Sequence, residues 1–429
     1  MNMAIQEKPF HVAIIGSGIG GLALAIGLLR QNVPYTIYES APQYSVVGAG
    51  VGLGPNALRA MDMLEPKFKA LYDEISTGNV TPGKDHVIFD TLLAKPGFGL
   101  DEGWGDHIGA PIYDRTSAHR KDLLDIMTSL IPIETVKFNK KATSVKQIGG
   151  KVQVTFEDGE VVVSDAVVGA DGGNRGVTRP AVLGERYPDE VLPTYSGKYV
   201  YRSIVPTEQA EAILGKGMAG DSKIFLGPVR HFLSYPISHG KEANVIAFVF
   251  ENKEWNEKQW TKEVSREEMI ADFKGYVDDR LIKLLDWAKP IQWSLHHHLK
   301  TSTYFNGNIC IIGDAAHSSL PHQAANAGQA LEDSLILSHV LGLVQSPEDL
   351  SKAFQVFDSI RRPRAQKVVE TSAECGIVYV LGDPEAGADR QKVVGNLNQR
   401  WLWIWEHDLS ADLRKAGEEF AKLIASSKQ

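Results

Sequence analysis

The chain has 429 residues, of which 43% are hydrophobic and 23% are charged, and this composition is typical of a globular protein with a large core. Its formal net charge of -8 argues against a nucleic-acid partner, because phosphate binding relies on clustered lysine and arginine. With only two cysteines, Cys310 and Cys375, a disulfide framework is excluded and a cytoplasmic location is expected.

The first predicted elements are a strand, a glycine turn, a helix and a second strand. The strand covers residues 11–15, the turn GSGIGG runs from Gly16 to Gly21, the helix covers 22–30, and the second strand ends at Glu39. This βαβ pattern accounts for the longest apolar run of the chain. We therefore expect no membrane span there.

GSGIGG matches the GxGxxG pattern of dinucleotide-binding folds. Gly16 permits the tight turn, Gly18 lets a pyrophosphate approach the backbone, and Gly21 lets the helix pack on the strand. The helix N-terminus then faces the phosphates, and Glu39 accepts from the ribose hydroxyls. Because an acid at this position repels a 2′-phosphate, NADP is not expected in this site. A second match that begins at Gly215 lacks the flanking strand and helix and is discarded.

The middle of the sequence changes from helical to two-residue periodicity. After a helix over 119–131, a β-ribbon turns at Asp158-Gly159, and a buried strand ends at Asp171. Strand-like runs follow over 198–206, 224–238 and 244–251, and a helical pattern covers 265–287. We interpret these last elements as a β-sheet unit inserted into the first domain.

The sequence then returns to a short apolar strand, which leads into the loop GDAAHSSLPHQAANAG and a helix over 328–344. This loop is much longer than a connection requires, which indicates a ligand site. The remaining sequence is helical, and we interpret its aromatic cluster WLWIW at 401–405 as core. The run His296 to His298 does not indicate a metal site, because successive residues of a strand point to opposite faces.

Three turns that each follow an apolar strand, GSGIGG, GADGGNRG and GDAAH, together with Arg120 in HRKDLL, resemble the motifs of the single-component FAD-dependent aromatic hydroxylases of the salicylate hydroxylase type. The resemblance implies that the turns near Gly16, Asp171 and Asp314 converge around one extended FAD. It also implies an α/β fold: a Rossmann-like FAD-binding domain (1–75, 105–185 and 288–385), an inserted β-sheet substrate domain (76–104 and 186–287) and a helical C-terminal segment (386–429).

The resemblance also implies which residues form the site. The catalytic residues would be Arg202, Tyr235, Pro321 and His322, and the residues that bind the cofactor would be Gly16, Gly18, Gly21, Glu39, Gly52, Arg120, Asp171, Asp314, Ala327 and Gly328. Backbone amides of 325–328, at a helix N-terminus, would face the pyrimidine edge of the flavin and stabilise the negative charge of its reduced form. The family usually has serine at Arg175 and glycine at Ala324 and Asn326, and asparagine tolerates a positive φ better than most residues.

Arg202 and Tyr235 each lie on an otherwise apolar strand face, so each needs a partner or a ligand. A structural pairing of the arginine stays open. The pair resembles the one by which some fungal phenol-dearomatising members of the family hold a phenolate.

The reaction that the resemblance implies uses NADPH or NADH to reduce FAD. Molecular oxygen then gives a flavin 4a-hydroperoxide, whose terminal oxygen is transferred to a phenolic or salicylate-like substrate. The alternative within the family is dearomatising hydroxylation of a polyketide phenol. A flavoenzyme of another class, such as a reductase or epoxidase, and a flavin-binding module without turnover also stay open.

Overall fold

A computed structural model of the chain describes residues 8–44, 50–174, 176–251, 253–257 and 259–427. Arg175, where the sequence departs from the family pattern, lies outside the described residues. The described strands, in chain order, are β1 (Val12–Ile15), β2 (Tyr35–Tyr38), β3 (Gly50–Gly52), β4 (Val87–Leu93), β5 (His107–Gly109), β6 (Ser117–His119), β7 (Val136–Lys137), β8 (Ala142–Ile148), β9 (Lys151–Phe156), β10 (Val161–Ser164), β11 (Ala166–Gly169), β12 (Thr194–Pro206), β13 (Lys223–Leu226), β14 (Arg230–Ile237), β15 (Glu242–Phe250), β16 (Thr261–Glu263), β17 (Ile291–His297), β18 (Phe305–Asn306) and β19 (Ile309–Ile311). The described α-helices are α1 (Ile19–Arg30), α2 (Pro55–Leu64), α3 (Pro66–Ile75), α4 (Arg120–Thr128), α5 (Thr178–Leu183), α6 (Thr207–Leu214), α7 (Arg266–Ala271), α8 (Asp279–Lys283), α9 (Asp314–His317), α10 (Asn326–Leu343), α11 (Leu350–Tyr379), α12 (Arg390–Gln399), α13 (Leu402–Trp405) and α14 (Leu409–Ser426).

The first large sheet has six strands in the order β18-β19-β11-β1-β2-β7. Strands β19, β11, β1, β2 and β7 are parallel, and β18 is antiparallel to β19. Every residue of β1, β11 and β19 is buried, as expected for parallel strands covered on both faces. Because parallel strands end at one edge, the segments that follow β1, β11 and β19 meet there.

The second large sheet has eight strands in the order β16-β17-β12-β15-β14-β13-β4-β5. One face packs on α6, α7 and α8 around a core that includes Phe225, Phe232 and Phe273. The sheet takes in β5 and β17, which lie outside the ranges 76–104 and 186–287 expected for the substrate domain. Strand β17 belongs to this sheet because it pairs with β12 on one side and with β16 on the other.

Two predicted elements of this region are interrupted. The predicted helix over 265–287 is divided into α7 and α8, because Gly275 has a φ of +82° and Asp278 caps a new helix by accepting from the Arg280 backbone N–H. The predicted strand over 224–238 is two strands, β13 and β14, and Val229 takes a φ of +55° between them.

The C-terminal part is helical from α10 onward, and the WLWIW segment contributes Trp401, Ile404 and Trp405 to a buried cluster with residues of β4, β5 and α11. Smaller sheets complete the fold: β10-β9-β8 is an antiparallel ribbon, and β3 pairs with β6. Within the described ranges, no helix is both long and apolar enough to cross a membrane.

Candidate active site

The three predicted turns meet at the carboxyl edge of the six-stranded sheet. A Cβ added to Gly16, which has a φ of +101°, would lie 2.5 Å from the backbone oxygen of Ala170. A Cβ added to Gly173 would lie 3.3 Å from the backbone oxygen of Asp314. The backbones near residues 16, 171 and 314 therefore lie side by side, as the convergence prediction required.

The glycine turn leaves space where a pyrophosphate would approach. A Cβ on Gly21 would lie 2.0 Å from the Gly16 oxygen, so this glycine is required for packing, whereas a Cβ on Gly18 would meet no atom within 4 Å. Glu39 reaches the same turn and accepts from the Ser17 backbone N–H at 2.8 Å and from its hydroxyl at 2.7 Å. Burial would raise the pKa of Glu39, but hydrogen bonds from Ala41, Ser17 and Ser40 outweigh burial and lower it. Glu39 is thus an ionised acceptor beside the open position.

The two acids of the other turns differ in their surroundings. Asp171 accepts from the Thr178 hydroxyl and, at 3.1 Å, from the Thr178 backbone N–H, so its carboxylate holds the start of α5. Asp314 is open to water, yet nearby protein raises the pKa of its carboxyl by desolvation, while His317, the Asn326 side-chain amide and Arg120 lower it. Of the two acids, Asp314 is the more exposed.

The long loop ends in the N-terminus of α10, where Asn326, Ala327 and Gly328 begin the helix. The left-handed residue of this loop is Ala324, with a φ of +49°, and not Asn326, which has helical geometry. Gly328 is buried against α2, and a Cβ there would lie 3.3 Å from the Ala57 Cβ. Ala324 through Gly328 line one cavity, so the helix start is directed toward it.

Behind the loop, α10 carries a fully buried charge network. Asp333 accepts from His317 Nε2 at 2.5 Å, from the Gly313 backbone N–H at 3.0 Å and from Arg361 Nε at 2.9 Å. Asp333 therefore holds both ends of α9, through Gly313 and His317, and His317 does not line the cavity. Glu332 accepts from Asn56 at 2.7 Å and from both Arg361 and Arg364.

A cavity of about 730 Å³ lies between the eight-stranded sheet, the long loop that precedes α10 and the C-terminal helices. It brings together eight of the fourteen predicted site residues: Gly52, Arg120, Arg202, Tyr235, Pro321, His322, Ala327 and Gly328. Gly16, Gly18, Gly21, Glu39, Asp171 and Asp314 do not line it and lie along the adjacent sheet edge. Arg120 links the two groups, because it lines the cavity and also lies close enough to Asp314 to feel its charge. Burial lowers the pKa of Arg120, and the Asp314 carboxylate acts to raise it.

Arg202 stands on the face of β12 that forms the cavity floor. Its guanidinium carbon lies 5.1 Å from the ring centre of Trp293, and it makes no hydrogen bond or ion pair with any residue that the structure describes. Desolvation lowers the pKa of Arg202, Tyr235 raises it, and Arg120 lowers it further. The side chain is nevertheless exposed to the space of the cavity, so its guanidinium is accessible to an anionic ligand there.

Tyr235 lies across the same face, on β14. Its hydroxyl donates to the Gly50 backbone oxygen at 2.8 Å, and the Arg115 guanidinium lies 5.1 Å from its ring centre. Burial raises the pKa of Tyr235 to about 12, although Arg115 and Arg202 lower it. The tyrosine is therefore neutral at physiological pH and holds the strand β3 in the cavity wall.

His322 and Pro321 form another part of the wall. His322 is 5% exposed, and Tyr379 donates to its backbone oxygen at 2.8 Å. Within the described part of the chain, neither of its ring nitrogens has a hydrogen-bond partner. Burial, with the nearby charge of Lys198, holds the pKa of His322 well below its usual 6.5. Burial also lowers the pKa of Lys198 to about 8. His322 is thus a neutral imidazole beside the cavity.

Several cavity residues were not identified from the sequence. Asn244 lies on the cavity face of β15, Trp293 comes from β17, and Trp401 and Trp405 come from the C-terminal aromatic cluster. Trp401 Nε1 donates to the Gln323 oxygen at 2.9 Å and so anchors the long loop. Two-residue periodicity places Asn244 on an apolar face together with Ile246, and this signal could have identified it.

The features on this edge define a flavoprotein, because an open glycine turn, an ionised ribose acceptor and a helix start at a cavity are the groups that FAD requires. The family model described as FAD binding domain matches residues 10–372. The chain belongs to this FAD-binding family and is an FAD-dependent monooxygenase of the salicylate hydroxylase type.

Individual relatives agree with this assignment. An FAD-dependent monooxygenase of Gibberella moniliformis is 43% identical, over 96% of this chain and 97% of the relative. A salicylate hydroxylase of Pseudomonas putida is 36% identical, over 96% of both chains. A solved salicylate hydroxylase substrate complex superposes with a TM-score of 0.83 and 29% identity, covering 95% of this chain and 98% of that chain.

Proposed function

We propose that this monooxygenase hydroxylates a phenolic or salicylate-like aromatic substrate with O2 and either NADH or NADPH. The observation that carries the proposal is Arg202, a cation on the cavity floor that is exposed to the cavity and has no ionic partner among the described residues. An anionic oxygen of a ligand would satisfy it through charge-assisted hydrogen bonds. A phenolate or an aromatic carboxylate supplies such an oxygen.

The charge of the whole lining supports an anionic ligand. Arg115, Arg120, Arg202 and Lys289 line the cavity, and no aspartate or glutamate belongs to its described lining. A phenol has an ordinary pKa of about 10, so holding it as phenolate at pH 7 takes roughly 4 kcal/mol of differential stabilisation. Several positive groups around one desolvated cavity can contribute that amount.

Bound FAD supplies the redox chemistry and the activation of oxygen. The residues of the chain bind the ring, hold its oxygen in the ionised form and exclude water, and the apolar walls at Ile88, Phe89, Leu233 and Ile246 serve this last role. His322 is neutral, so we assign it a hydrogen-bonding role. We propose that Tyr235 shapes the cavity wall by its hydrogen bond to the Gly50 backbone oxygen. The division of the chain into an FAD-binding domain, a substrate domain and a C-terminal segment is likewise a proposal.

The test compares substrates on purified protein that contains FAD. Oxidation of NADH or NADPH and uptake of O2 are measured with salicylate and with benzoate, which lacks the hydroxyl. We expect salicylate to stimulate both signals and to yield a hydroxylated product, and Arg202→Ala to lower kcat/KM by about 10- to 100-fold. Arg266→Ala is the matched control, because Arg266 is an exposed arginine that does not line the cavity. Unchanged kinetics in Arg202→Ala would contradict the role of Arg202.

A second candidate is the dearomatising hydroxylation of a larger polyketide phenol. The cavity of about 730 Å³ has to hold the flavin ring as well as the substrate, and it presents Arg202 and Tyr235 together, the pair that suits a phenolate in either reaction. The most informative readout is the product spectrum, since a dearomatised product loses its benzenoid absorbance whereas a hydroxylated arene retains it.

A further inference from the structure

The side-chain amide of Asn244 supplies an unused hydrogen-bond donor in the cavity wall. Asn244, on β15, is 0% exposed and lines the cavity. Its Oδ1 accepts from the Gly50 backbone N–H at 3.1 Å, and its Nδ2 has no hydrogen-bond partner among the residues that the structure describes. Because the Gly50 N–H can only donate, the amide oxygen must face Gly50 and the amide nitrogen must face away from it.

A buried amide N–H without a partner is costly, so such a group usually indicates a ligand or a functional role. No water-sized group reaches Nδ2 in this conformation. An acceptor for it therefore has to come from a ligand that packs closely on the cavity face of β15, with a small rotation of the amide toward the cavity.

The strand register places Asn244 close to Arg202. Arg202 pairs with Ile246, and Asn244, two residues away on β15, pairs with Ile204. The two side chains are thus diagonal neighbours on one face, a relation that separates Cβ atoms by about 7–8 Å. A long guanidinium and a short amide at this separation can reach one shared oxygen.

The Tyr235 hydroxyl, which lies next to Asn244 on this face, already has an acceptor. Tyr235 pairs with Asn244 in the register, but its proton goes to the Gly50 oxygen at 2.8 Å. Asn244 and Tyr235 therefore hold the two backbone groups of Gly50, and only the asparagine has a donor left over.

We propose that Asn244 is a substrate-binding residue whose Nδ2 donates to the phenolate oxygen held by Arg202. The inference rests on the proposed function and names the second donor of the same site. It predicts selection for a free phenolic oxygen, because an aryl methyl ether carries no charge at this position.

Asn244→Asp separates donation from wall packing. The aspartate keeps an oxygen for the Gly50 N–H but replaces the amide donor by an acceptor. With FAD-containing protein, 4-nitrophenol serves as the probe, and its phenolate absorbance reports its ionisation in the cavity. We expect the affinity for 4-nitrophenolate to fall about 10- to 100-fold and the apparent pKa of the bound phenol to rise by about one to two units.

Ser234→Ala is the matched control, since Ser234 is a buried residue of the neighbouring strand whose hydroxyl is also unpartnered and which does not line the cavity. Its affinity and bound pKa should equal those of the wild type. If Asn244→Asp does not retain FAD, Asn244→Leu, of similar volume and without charge, carries the same expectation.

Two negative results are distinguishable. If the wild type ionises the probe and the Asn244 variants do so equally well, the role of Asn244 is overturned while the proposed function stands. If the wild type neither binds nor ionises any phenol, the proposed function fails, and the inference fails with it.

Discussion

Ala324 is a non-glycine residue that adopts a left-handed backbone conformation beside the cavity. Its φ of +49° and ψ of +30° lie in the left-handed region, and it lines the cavity at the end of the long loop. A non-glycine residue in this region costs about 1–2 kcal/mol. The loop therefore stores strain next to the ligand site, a pattern typical of functional segments.

We predict that Ala324→Gly raises the free energy of unfolding by less than about 1 kcal/mol. Glycine removes the left-handed penalty, but it loses roughly 0.5–1 kcal/mol more conformational entropy on folding. Urea unfolding, followed by tryptophan fluorescence, gives the measurement. Ala325→Gly is the control, because Ala325 has a negative φ of -101° and should show no gain. A less stable Ala324→Gly variant would contradict the interpretation.

At the scale of elements, α10 both starts at the cavity and carries the buried charges behind it. Burial would raise the pKa of Glu332, but Arg361 and Arg364 outweigh burial and lower it from 4.5 to about 2. Burial would likewise raise the pKa of Asp333, but His317 and Arg361 lower it to about 2. Removing one member of such a network leaves an unpaired buried charge, which is strongly destabilising.

These shifts predict the direction of the acid response. A carboxyl whose folded pKa is depressed contributes stability above its unfolded pKa, and that contribution is lost as the pH falls through the folded value. For Glu332 the full contribution is therefore present above about pH 4.5 and declines toward about pH 2. Equilibrium unfolding of the wild type and of Glu332→Gln should show a shallower pH dependence in the variant across this window, and Glu418→Gln, in α14, is the control. Equal slopes would contradict the prediction.

The elements also show how far the sequence was informative. The βαβ unit and the glycine turn could be predicted because each depends on spacing within one short stretch. Asn244 could not be assigned a role, because its relation to Arg202 depends on the register between β12 and β15. The break of the 265–287 helix depends on the positive φ of Gly275, which a helical period does not reveal. Long-range pairing was therefore the missing information.

At the scale of the whole molecule, FAD would lie along the edge of the six-stranded sheet and reach the cavity beside the eight-stranded sheet. A ligand that binds only the folded state stabilises it by RT ln(1 + [L]/Kd), which is about 2.7 kcal/mol at 100 times Kd. We predict that titrating FAD into FAD-depleted protein raises the free energy of unfolding by this relation. Thermal unfolding at several FAD concentrations measures it, and riboflavin, without the pyrophosphate and adenosine, is the control expected to give a smaller shift. No dependence on FAD would contradict the placement of the dinucleotide.

The C-terminal aromatic residues give the cavity a boundary that is separate from the cofactor turns. Trp401, Ile404 and Trp405 line it, although they follow residue 372, where the match to the FAD-binding family ends. Substitutions in the short helix α13 can therefore enlarge or narrow the cavity without changing the residues predicted to bind FAD. An enzyme built in this way can acquire new substrates by exchanging its last helices.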